Sequence, residues 1–337
     1  MRFRWPLLFL SAITLSTCSA SDVQRKYDVE PAPEFLFERR PLQARCIEWK
    51  AGVPVGLAQN GGQHRARTIL VPGNQPPYVL THSEELVLTR GDVPTLTITS
   101  DPSNSVAVAG SERTDWSLHF CAEGEGSTEV EALSGLQRIS LTREAAFVSI
   151  NSPRLSNRLG EFPKARGKLL VEAPSDAPVV VYSTFSAVDV RDLAGTVRVA
   201  AIHARATILD TSGQVDATAF VIDFAGSQGH VTLSADADIN LKMRAAHFNG
   251  TVSAWAQRPV RMLVPPDFAT SFQAIVNRPE DFVCEAGFCS KIKQEKKDSL
   301  YLFTYSGDAP AGSEPALHLR SEQSTVVVYS TDHLPRR

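Results

Sequence analysis

The chain has 337 residues, of which 43% are hydrophobic and 21% are charged, and its formal net charge is −3. Its 20 glycines and 21 prolines are ordinary numbers for this length, so composition excludes wholesale disorder, a collagen-like repeat and a small disulfide scaffold. The near-neutral charge gives no reason to expect nucleic acid or an anionic membrane surface as a partner. The length suits two average domains or one large β domain.

The first twenty residues have the order of a secretory signal. Arg2 and Arg4 precede an apolar run from Trp5 to Leu15, and small polar residues follow. The run is too short to span a bilayer, and no later stretch reaches the roughly 18 apolar residues of a transmembrane helix. We therefore predict a signal peptide at residues 1–20 and an exported bacterial protein, located in the periplasm, at the outer membrane or on the cell surface.

The end of this signal has two interpretations. Leu15-Ser-Thr-Cys18 resembles a bacterial lipobox, in which the cysteine becomes the lipidated first residue, although Thr17 departs from the Gly, Ala or Ser that the pattern prefers. The alternative is cleavage after Ala20, where small residues suit the usual protease. In the first case a lipid on Cys18 anchors the protein to a membrane, and in the second the mature chain has no anchor.

Four cysteines remain after Cys18: Cys46, Cys121, Cys284 and Cys289. In an exported protein, four cysteines most simply form two disulfides. Gly287 supplies turn freedom between the last two, so we predict a small loop closed by Cys284–Cys289. Cys46–Cys121 would then tie the N-terminal segment to a strand. A metal site is the alternative, but C-x4-C without a companion His or Cys pair is a weak zinc signal.

The first half of the chain is irregular and then β-rich. Residues 21–83 are rich in proline and glycine, which predicts an extended lead segment with short strands such as Thr68–Val71. Residues 84–167 contain short β-prone runs separated by Gly, Pro, Asp and Ser, and a weak helical pattern at Ser127–Leu136. We expect residues 84–167 to form a β-rich N-terminal region.

Residues 168–264 alternate apolar and polar side chains, which is typical of half-buried strands. Small-residue turns recur before these strands, at Gly195-Thr-Val, Gly213-Gln-Val, Gly229-His-Val and Asn249-Gly250-Thr-Val. Such turns followed by short alternating strands predict a β-solenoid, a parallel β-helix or β-roll in which stacked coils bury a core that one coil cannot. An antiparallel β-sandwich gives similar strand lengths and is the alternative.

These turns, with the closing strands Leu317-His-Leu-Arg-Ser and Val326-Val-Val, resemble the repeats of the bacterial putative-adhesin domain family, a domain of unknown function with G-x-V-x-V coils. The family also has a strand ending in proline before the repeats, as Leu169–Pro174 does here. The resemblance covers residues 168–330, and turns such as that at Ala237 depart from it by lacking glycine. It implies an adhesin-type region at 168–337 and supplies no mechanism and no cofactor.

Residues 265–310 interrupt the repeats. They contain Pro265-Pro266, the predicted disulfide loop and a lysine cluster, and Leu300–Tyr305 then returns to strand. We predict an inserted disulfide hairpin here, after which Leu317–Tyr329 closes the fold. The N-terminal region and Leu317–Tyr329 are the candidates to cap the exposed coil ends.

The sequence lacks the motifs of common catalytic sites. It has no phosphate-binding glycine loop, no G-x-S-x-G elbow and no HExxH helix. Asp236, Asp238 and Asn240 have the alternating oxygens that open a calcium loop, but Leu241 and His247 occupy the positions of its glycine and its bidentate glutamate. We therefore predict neither a metal nor a cofactor.

One aromatic residue has arginines nearby in sequence. Trp255, with Arg244, Arg258 and Arg261, could bind an acidic glycan or a phosphorylated surface polymer. Packing of Trp255 in the core beside solvated arginines is the interpretation that we favour.

A parallel β-helix also hosts lyases and glycosidases, which use paired carboxylates or a basic residue along one face. The available carboxylates are Asp189, Asp192, Asp210, Asp216 and Asp223, although Asp on exposed strands usually serves solvation and edge protection. We therefore predict a non-enzymatic cell-envelope binding or structural protein, whose polar solenoid face contacts another protein or an envelope glycan. A carbohydrate-active enzyme is one alternative, and an envelope stress-response sensor or regulator, which the family resemblance implies, is another.

Overall fold

The structure is a computed structural model that describes residues 63–68, 78–102, 104–152, 164–310 and 312–333. Strands account for 61% of it and helices for 7%. The prediction of an all-β protein is therefore confirmed. The predicted signal peptide, Cys18 and Cys46 lie outside the described residues.

The described residues contain 22 strands and one α-helix, α1 (Glu129–Leu136). The strands are β1 (Gln63–Thr68), β2 (Tyr78–Leu88), β3 (Leu96–Ser100), β4 (Ser105–Ser111), β5 (Trp116–Gly126), β6 (Ser140–Glu144), β7 (Phe147–Asn151), β8 (Lys164–Pro174), β9 (Val179–Thr184), β10 (Ala187–Arg191), β11 (Val197–Leu209), β12 (Gln214–Gly226), β13 (Gln228–Ala235), β14 (Ile239–Met243), β15 (Asn249–Ala256), β16 (Val260–Val264), β17 (Phe272–Val276), β18 (Phe282–Glu285), β19 (Lys293–Lys297), β20 (Leu300–Tyr305), β21 (Leu317–Ser321) and β22 (Val326–Ser330).

The strands pair in two ladders. The first ladder has the order β6-β7-β3-β9-β11-β12-β13-β15-β21-β17-β20-β19. The second ladder has the order β1-β2-β5-β8-β4-β10-β11-β12-β14-β16-β22-β18. The long strands β11 and β12 belong to both, because their first halves pair in the first ladder and their second halves in the second.

The pairing is parallel through the middle of both ladders. In the first ladder it is parallel from β7 to β17, and in the second from β8 to β18. Antiparallel pairs lie at the ends, between β1, β2, β5 and β8, between β6 and β7, and between β17, β20 and β19. The chain between residues 168 and 264 therefore alternates between the ladders, strand by strand.

The core lies between the two ladders and explains the alternation in the sequence. In β13, Val231, Leu233 and Ala235 are buried, and the residues between them face away from the core. Parallel register stacks Val231 on Val215 and Val252, so each inward position forms a column of apolar side chains across the ladder. Each fully buried Val or Leu contributes about 1.5–3 kcal/mol to the free energy of unfolding.

The repeated glycines form a column where the chain enters the first ladder. A Cβ on Gly213 would lie 2.2 Å from the carbonyl oxygen of Gly195, and a Cβ on Gly250 would lie 2.1 Å from that of Gly229. Gly229 and Gly250 also have φ values of 122° and 131°, which L side chains rarely adopt. Gly213, Gly229 and Gly250 recur in the sequence because each one touches the backbone of the preceding glycine turn, and Gly195 touches the backbone of Asp176 and Ala177.

The last strands of the chain do not lie at the end of the ladders. β21 lies between β15 and β17, and β22 lies between β16 and β18. The prediction that Leu317–Tyr329 caps the strand stack is therefore wrong. Strands β17 and β18 come earlier in the chain but lie farther along the ladders than β21 and β22. The first ladder ends instead at β19, where Lys293, Lys296 and Lys297 are exposed along an edge strand. Lysines on an edge oppose pairing with another chain.

The N-terminal part combines antiparallel strands with the helix predicted at Ser127–Leu136. α1 packs against β5 through Ala132 and Leu136. The Glu131 N–H donates to the Thr128 hydroxyl. The Ser127 hydroxyl and the Ser127 N–H both donate to the Glu131 carboxylate, and these two hydrogen bonds, the first above all, lower the pKa of Glu131. Of the strand expected at Thr68–Val71, Thr68 is the last residue of β1, and the rest lies outside the described residues.

The disulfide predicted between Cys284 and Cys289 is confirmed, with a Cα–Cα distance of 5.8 Å. It closes the short segment between β18 and the turn before β19. Cys121, on β5, is also disulfide-bonded. The pairing of Cys121 with Cys46 stays a prediction.

We expect Gly250→Ala to lower the free energy of unfolding by about 2–4 kcal/mol, because its Cβ would meet backbone that cannot yield. Gly91→Ala is the matched control, since nothing lies within 4 Å of a Cβ at that position. Denaturant unfolding followed by circular dichroism measures both variants. Equal midpoints for the two would contradict this account of the glycine column.

Candidate functional site

The outward residues of the first ladder form a continuous exposed or half-exposed polar surface, which we call the first-ladder face. Strand register arranges them in rows about 4.8 Å apart from strand to strand. One row contains Arg198, Asp216, Thr232, Ser253 and His318. The next row contains Ala200, Thr218, Ser234, Trp255 and Arg320. The face therefore presents guanidinium, carboxylate, hydroxyl, imidazole and indole groups at the regular spacing of the strands.

Exposed apolar side chains border this face near the end of β9 and near the middles of β11 and β12. Tyr182, Phe185, Ile202 and Phe220 are 52%, 59%, 54% and 40% exposed. The Phe185 ring stacks on the His203 ring at 4.9 Å. Phe185 and His203 have φ values of 59° and 55°, a conformation that costs a bulky residue of order 1 kcal/mol. We call these five residues the aromatic corner; nothing in the alternating pattern predicts them as a group.

The outer side of the second ladder holds a buried polar network instead. Asp223 is 1% exposed and accepts hydrogen bonds from Arg205 and from Asn240 Nδ2, the latter at 2.7 Å. Arg261 Nη1 donates to Asp238 at 2.9 Å and to Asn240 Oδ1 at 3.2 Å. These bonds join β11, β12, β14 and β16, so the network is a structural one.

A polar cleft lies along the connections from the second ladder to the first. Its volume is about 440 Å³, and it is lined by Asp192, Asp210, Thr211, Ser212, Ser227, Gln228 and Arg244. Arg244 Nε lies 2.8 Å from Asp210 Oδ1. Thr211 is 1% exposed, and its hydroxyl has no hydrogen-bond partner among the described residues. We call this the carboxylate cleft, because Asp192 and Asp210 follow neighbouring strands there.

The structure separates the four residues proposed from the sequence to contact glycan. Trp255 is half-exposed on the first-ladder face, so its placement in the core is wrong: the neighbouring Ala254 and Ala256 face inward instead. Arg244 lies in the carboxylate cleft, and Arg261 is bound in the network of the second ladder. Arg258 is exposed between β15 and β16. Trp255 is therefore not joined to these arginines, and its neighbour on β21 is Arg320.

The five candidate carboxylates are also dispersed. Asp189 is bound by Arg191 Nη2 at 2.6 Å, Asp223 is buried, and Asp216 lies on the first-ladder face. Of the five, Asp192 and Asp210 share a cleft. Within the described part of the chain, no group of three His, Cys, Asp or Glu side chains is placed to hold a metal ion.

No helix within the described ranges is long and apolar enough to cross a membrane.

Comparison with known proteins finds similar solved structures but no matching family model and no matching curated protein. A putative cell adhesion protein from Clostridium sporogenes is 7% identical with a TM-score of 0.30, and the match covers 74% of this chain and 97% of that one. A putative adhesin from Bacteroides fragilis is 8% identical with a TM-score of 0.28, covering 74% and 96%. A putative adhesin from Parabacteroides merdae is 10% identical with a TM-score of 0.27, covering 74% and 94%. At these scores the similarity carries no functional argument.

We expect Asp223→Ala to lower the free energy of unfolding by about 2–3 kcal/mol, because it leaves Arg205 and the buried Asn240 without their shared acceptor. Asp216→Ala, at an exposed position, should change it by less than about 0.5 kcal/mol. Urea unfolding of both variants measures the difference. A network of no structural importance would give two equal, small effects.

Proposed function

We propose that this chain is an exported, non-enzymatic binding or structural protein of the adhesin type, which contacts an envelope protein or glycan through the first-ladder face. The observation that carries the proposal is the contrast between the two outer faces. Thr232 and Ser253 on the first-ladder face are exposed, whereas Leu209 and Leu263 on the outer side of the second ladder are 1% and 0% exposed. One long polar face therefore remains open.

The proposed architecture is a β-solenoid in which the two ladders are its two sheets. Parallel pairing over residues 168–264, alternation of the chain between ladders and the column of glycine turns support this interpretation. Stacked coils generate extended binding surfaces, because each coil repeats the positions of the one before it. Such a surface suits an extended or repetitive ligand.

Export is supported by the disulfides. Cys284–Cys289 and the disulfide at Cys121 are typical of oxidising compartments outside the cytosol. The signal peptide at residues 1–20 and the lipid on Cys18 stay predictions. Mass spectrometry of the mature N-terminus distinguishes a lipidated Cys18 from a free Ser21.

The chemistry of the first-ladder face suits sugars and polar protein surfaces. Trp255 and Arg320 are register partners across β15 and β21, and Arg320 Nη2 lies 3.5 Å from Glu322 Oε1. Guanidinium groups bind carboxylates and phosphates through paired hydrogen bonds, and indole rings supply apolar area with a polar edge. Arg320 is therefore the arginine that we propose to act with Trp255, instead of Arg244, Arg258 and Arg261.

We expect Trp255→Ala/Arg320→Ala to reduce capture of partners from envelope fractions at least about tenfold, because aromatic and arginine residues dominate binding energies. The control is Val130→Ala/Arg113→Ala, which changes an exposed apolar residue and an arginine outside this face. Capture is measured by pull-down with protein and glycan detection, after circular dichroism shows that both variants are folded. Equal capture by the two variants, or no capture by the natural protein, would count against the proposal.

A carbohydrate-active enzyme is the second candidate, favoured by the shared cleft of Asp192, Asp210 and Arg244. If this cleft cleaves glycan, envelope polysaccharide should release new chain ends, and Asp192→Asn or Asp210→Asn should abolish the release. Our proposal predicts that the natural protein, Asp192→Asn and Asp210→Asn all leave the polysaccharide uncleaved, with no new chain ends. The role in envelope stress response stays a prediction that gene neighbourhood tests.

A further inference from the structure

One row of the first-ladder face runs from the aromatic corner to Trp255. Its ends are Tyr182 on β9 and Trp255 on β15, and strand register places Ala200, Thr218 and Ser234 between them in that order. The two ends are four strand steps apart, roughly 19 Å, because neighbouring strands lie about 4.8 Å apart. We call these five residues the aromatic-ended row.

The row has small side chains in the middle and a large ring at each end. Tyr182 is 52% exposed and Trp255 is half-exposed. Thr218 is exposed, and Ala200 and Ser234 are half-exposed. The side chains of Ala, Ser and Thr are much shorter than a phenol or an indole group, and hydroxyl groups both donate and accept hydrogen bonds. A ligand that touches both rings therefore passes over a polar floor without charge.

The Tyr182 end belongs to a preformed apolar surface. In the aromatic corner the rings of Phe185 and His203 are stacked with an interplanar angle of 23°, and the Phe185 N–H donates to the Ile202 carbonyl oxygen at 2.9 Å. Phe220 adds a further exposed ring on β12. Side chains that are already held lose less conformational entropy when a ligand binds. The corner can therefore contact a ligand without first being ordered.

The Trp255 end has apolar neighbours as well. Along the register of the row, Arg320 on β21 follows Trp255, and Ile275 on β17 and Leu302 on β20 follow Arg320. Ile275 and Leu302 are half-exposed, as Trp255 is. Apolar area is therefore concentrated at both ends of the aromatic-ended row and not in its middle.

The charges beside the row are of both signs. The exposed or half-exposed charged side chains that flank it are Arg198, Arg258 and Arg320, and Asp216, Asp236 and Glu322. Arg198 and Asp216 are register partners, and Arg320 Nη2 lies 3.5 Å from Glu322 Oε1. Electrostatic complementarity requires surfaces of opposite potential. This surface therefore gives no preference to a polyanion or to a polycation, and it suits an uncharged ligand.

We propose that the aromatic-ended row binds one uncharged linear polysaccharide, which crosses the strands and stacks a sugar ring on Tyr182 and another on Trp255. The inference rests on the proposed function and narrows its partner to one class. Sugar rings have an apolar C–H face that fits against an aromatic ring, and they carry hydroxyl groups at the edge. Thr218 and Ser234 lie between the two rings, where their hydroxyls can donate to those of the sugar or accept from them.

The distribution of apolar area favours a glycan over a protein partner. Protein interfaces concentrate their apolar anchors at the centre and surround them with a polar rim. The aromatic-ended row has the opposite arrangement, since Tyr182 and Trp255 lie at its ends and Thr218 lies in its middle. A chain of repeated rings contacts both ends at once, and the hydroxyls of its middle rings meet the polar floor.

Polysaccharide freed of protein from envelope fractions is the probe that tests this row. Anion exchange separates it into an uncharged and an acidic pool, and hydrolysis of part of the uncharged pool gives mono- and disaccharides, which are too short to reach both rings. The natural protein should bind the long uncharged chains at least about tenfold more tightly than these fragments, because contact with one ring raises the effective concentration at the other. Tyr182→Ala and Trp255→Ala should each remove this difference, as measured by biolayer interferometry.

Val87→Ala is the matched control, since it removes a 62% exposed apolar side chain from β2, outside the first ladder, and it should keep the preference for long chains. Circular dichroism establishes that all three variants are folded. Binding of the acidic pool alone, no preference for long chains in the natural protein, or the same preference in Trp255→Ala and Val87→Ala would overturn the inference. Capture of envelope protein without binding of the uncharged pool would overturn it and leave the proposed function standing, whereas capture of neither protein nor glycan would count against both.

Discussion

Every strand in the middle of this protein depends on the strands beside it for its backbone hydrogen bonds. Parallel pairing also restricts which residues can lie next to each other on neighbouring strands. A parallel pair places equivalent residues side by side, so an apolar residue in one strand stacks on apolar residues in the next, as Val231 does between Val215 and Val252. A shift of one residue would turn the whole inward set outward. The glycine column adds a second restraint, because the turns touch through their backbones. The register therefore fixes the core and the outer faces together.

The same alternation produces two outer faces that differ in their exposure to solvent. The first-ladder face carries Thr232, Ser253 and similar polar residues, and it is open to solvent. On the outer side of the second ladder, Leu209, Leu263 and Tyr329 are buried, as are Asp223 and Asn240 of the polar network. The open face therefore presents polar side chains at the strand spacing. The aromatic corner, with its stacked Phe185 and His203, is the apolar border of that surface.

Features that depend on residues close together in the sequence could be predicted, and features that depend on distant residues could not. Alternation in residues 228–235, the glycine turns, the helix at 129–136 and the Cys284–Cys289 loop depend on neighbours in the chain, and each is found where it was expected. The order of strands is not local. Nothing near Leu317 or Tyr329 indicates that β21 and β22 lie inside the ladders, because their partners are 40 or more residues away.

The candidate site was predicted less well for the same reason. Trp255 and Arg261 are close in sequence, but they belong to different ladders, since a turn of the chain separates β15 from β16. Arg320, the actual neighbour of Trp255, is distant in sequence and enters only through the register of β21. The carboxylate cleft likewise joins residues from successive connections. Strands that pair across a ladder are separated in the sequence by a number of residues that varies too much here to be predicted.

Hydroxyl-radical footprinting of the native protein tests the central claim, the difference between the two outer faces, most directly. Side-chain oxidation reports solvent access residue by residue, so mass spectrometry can compare Tyr182, Phe185 and Phe220 with Leu209, Leu263 and Tyr329. The account predicts rapid oxidation of the first three and protection of the last three until the protein is unfolded. Equal rates of oxidation at Tyr182 and Tyr329 in the folded protein would contradict it.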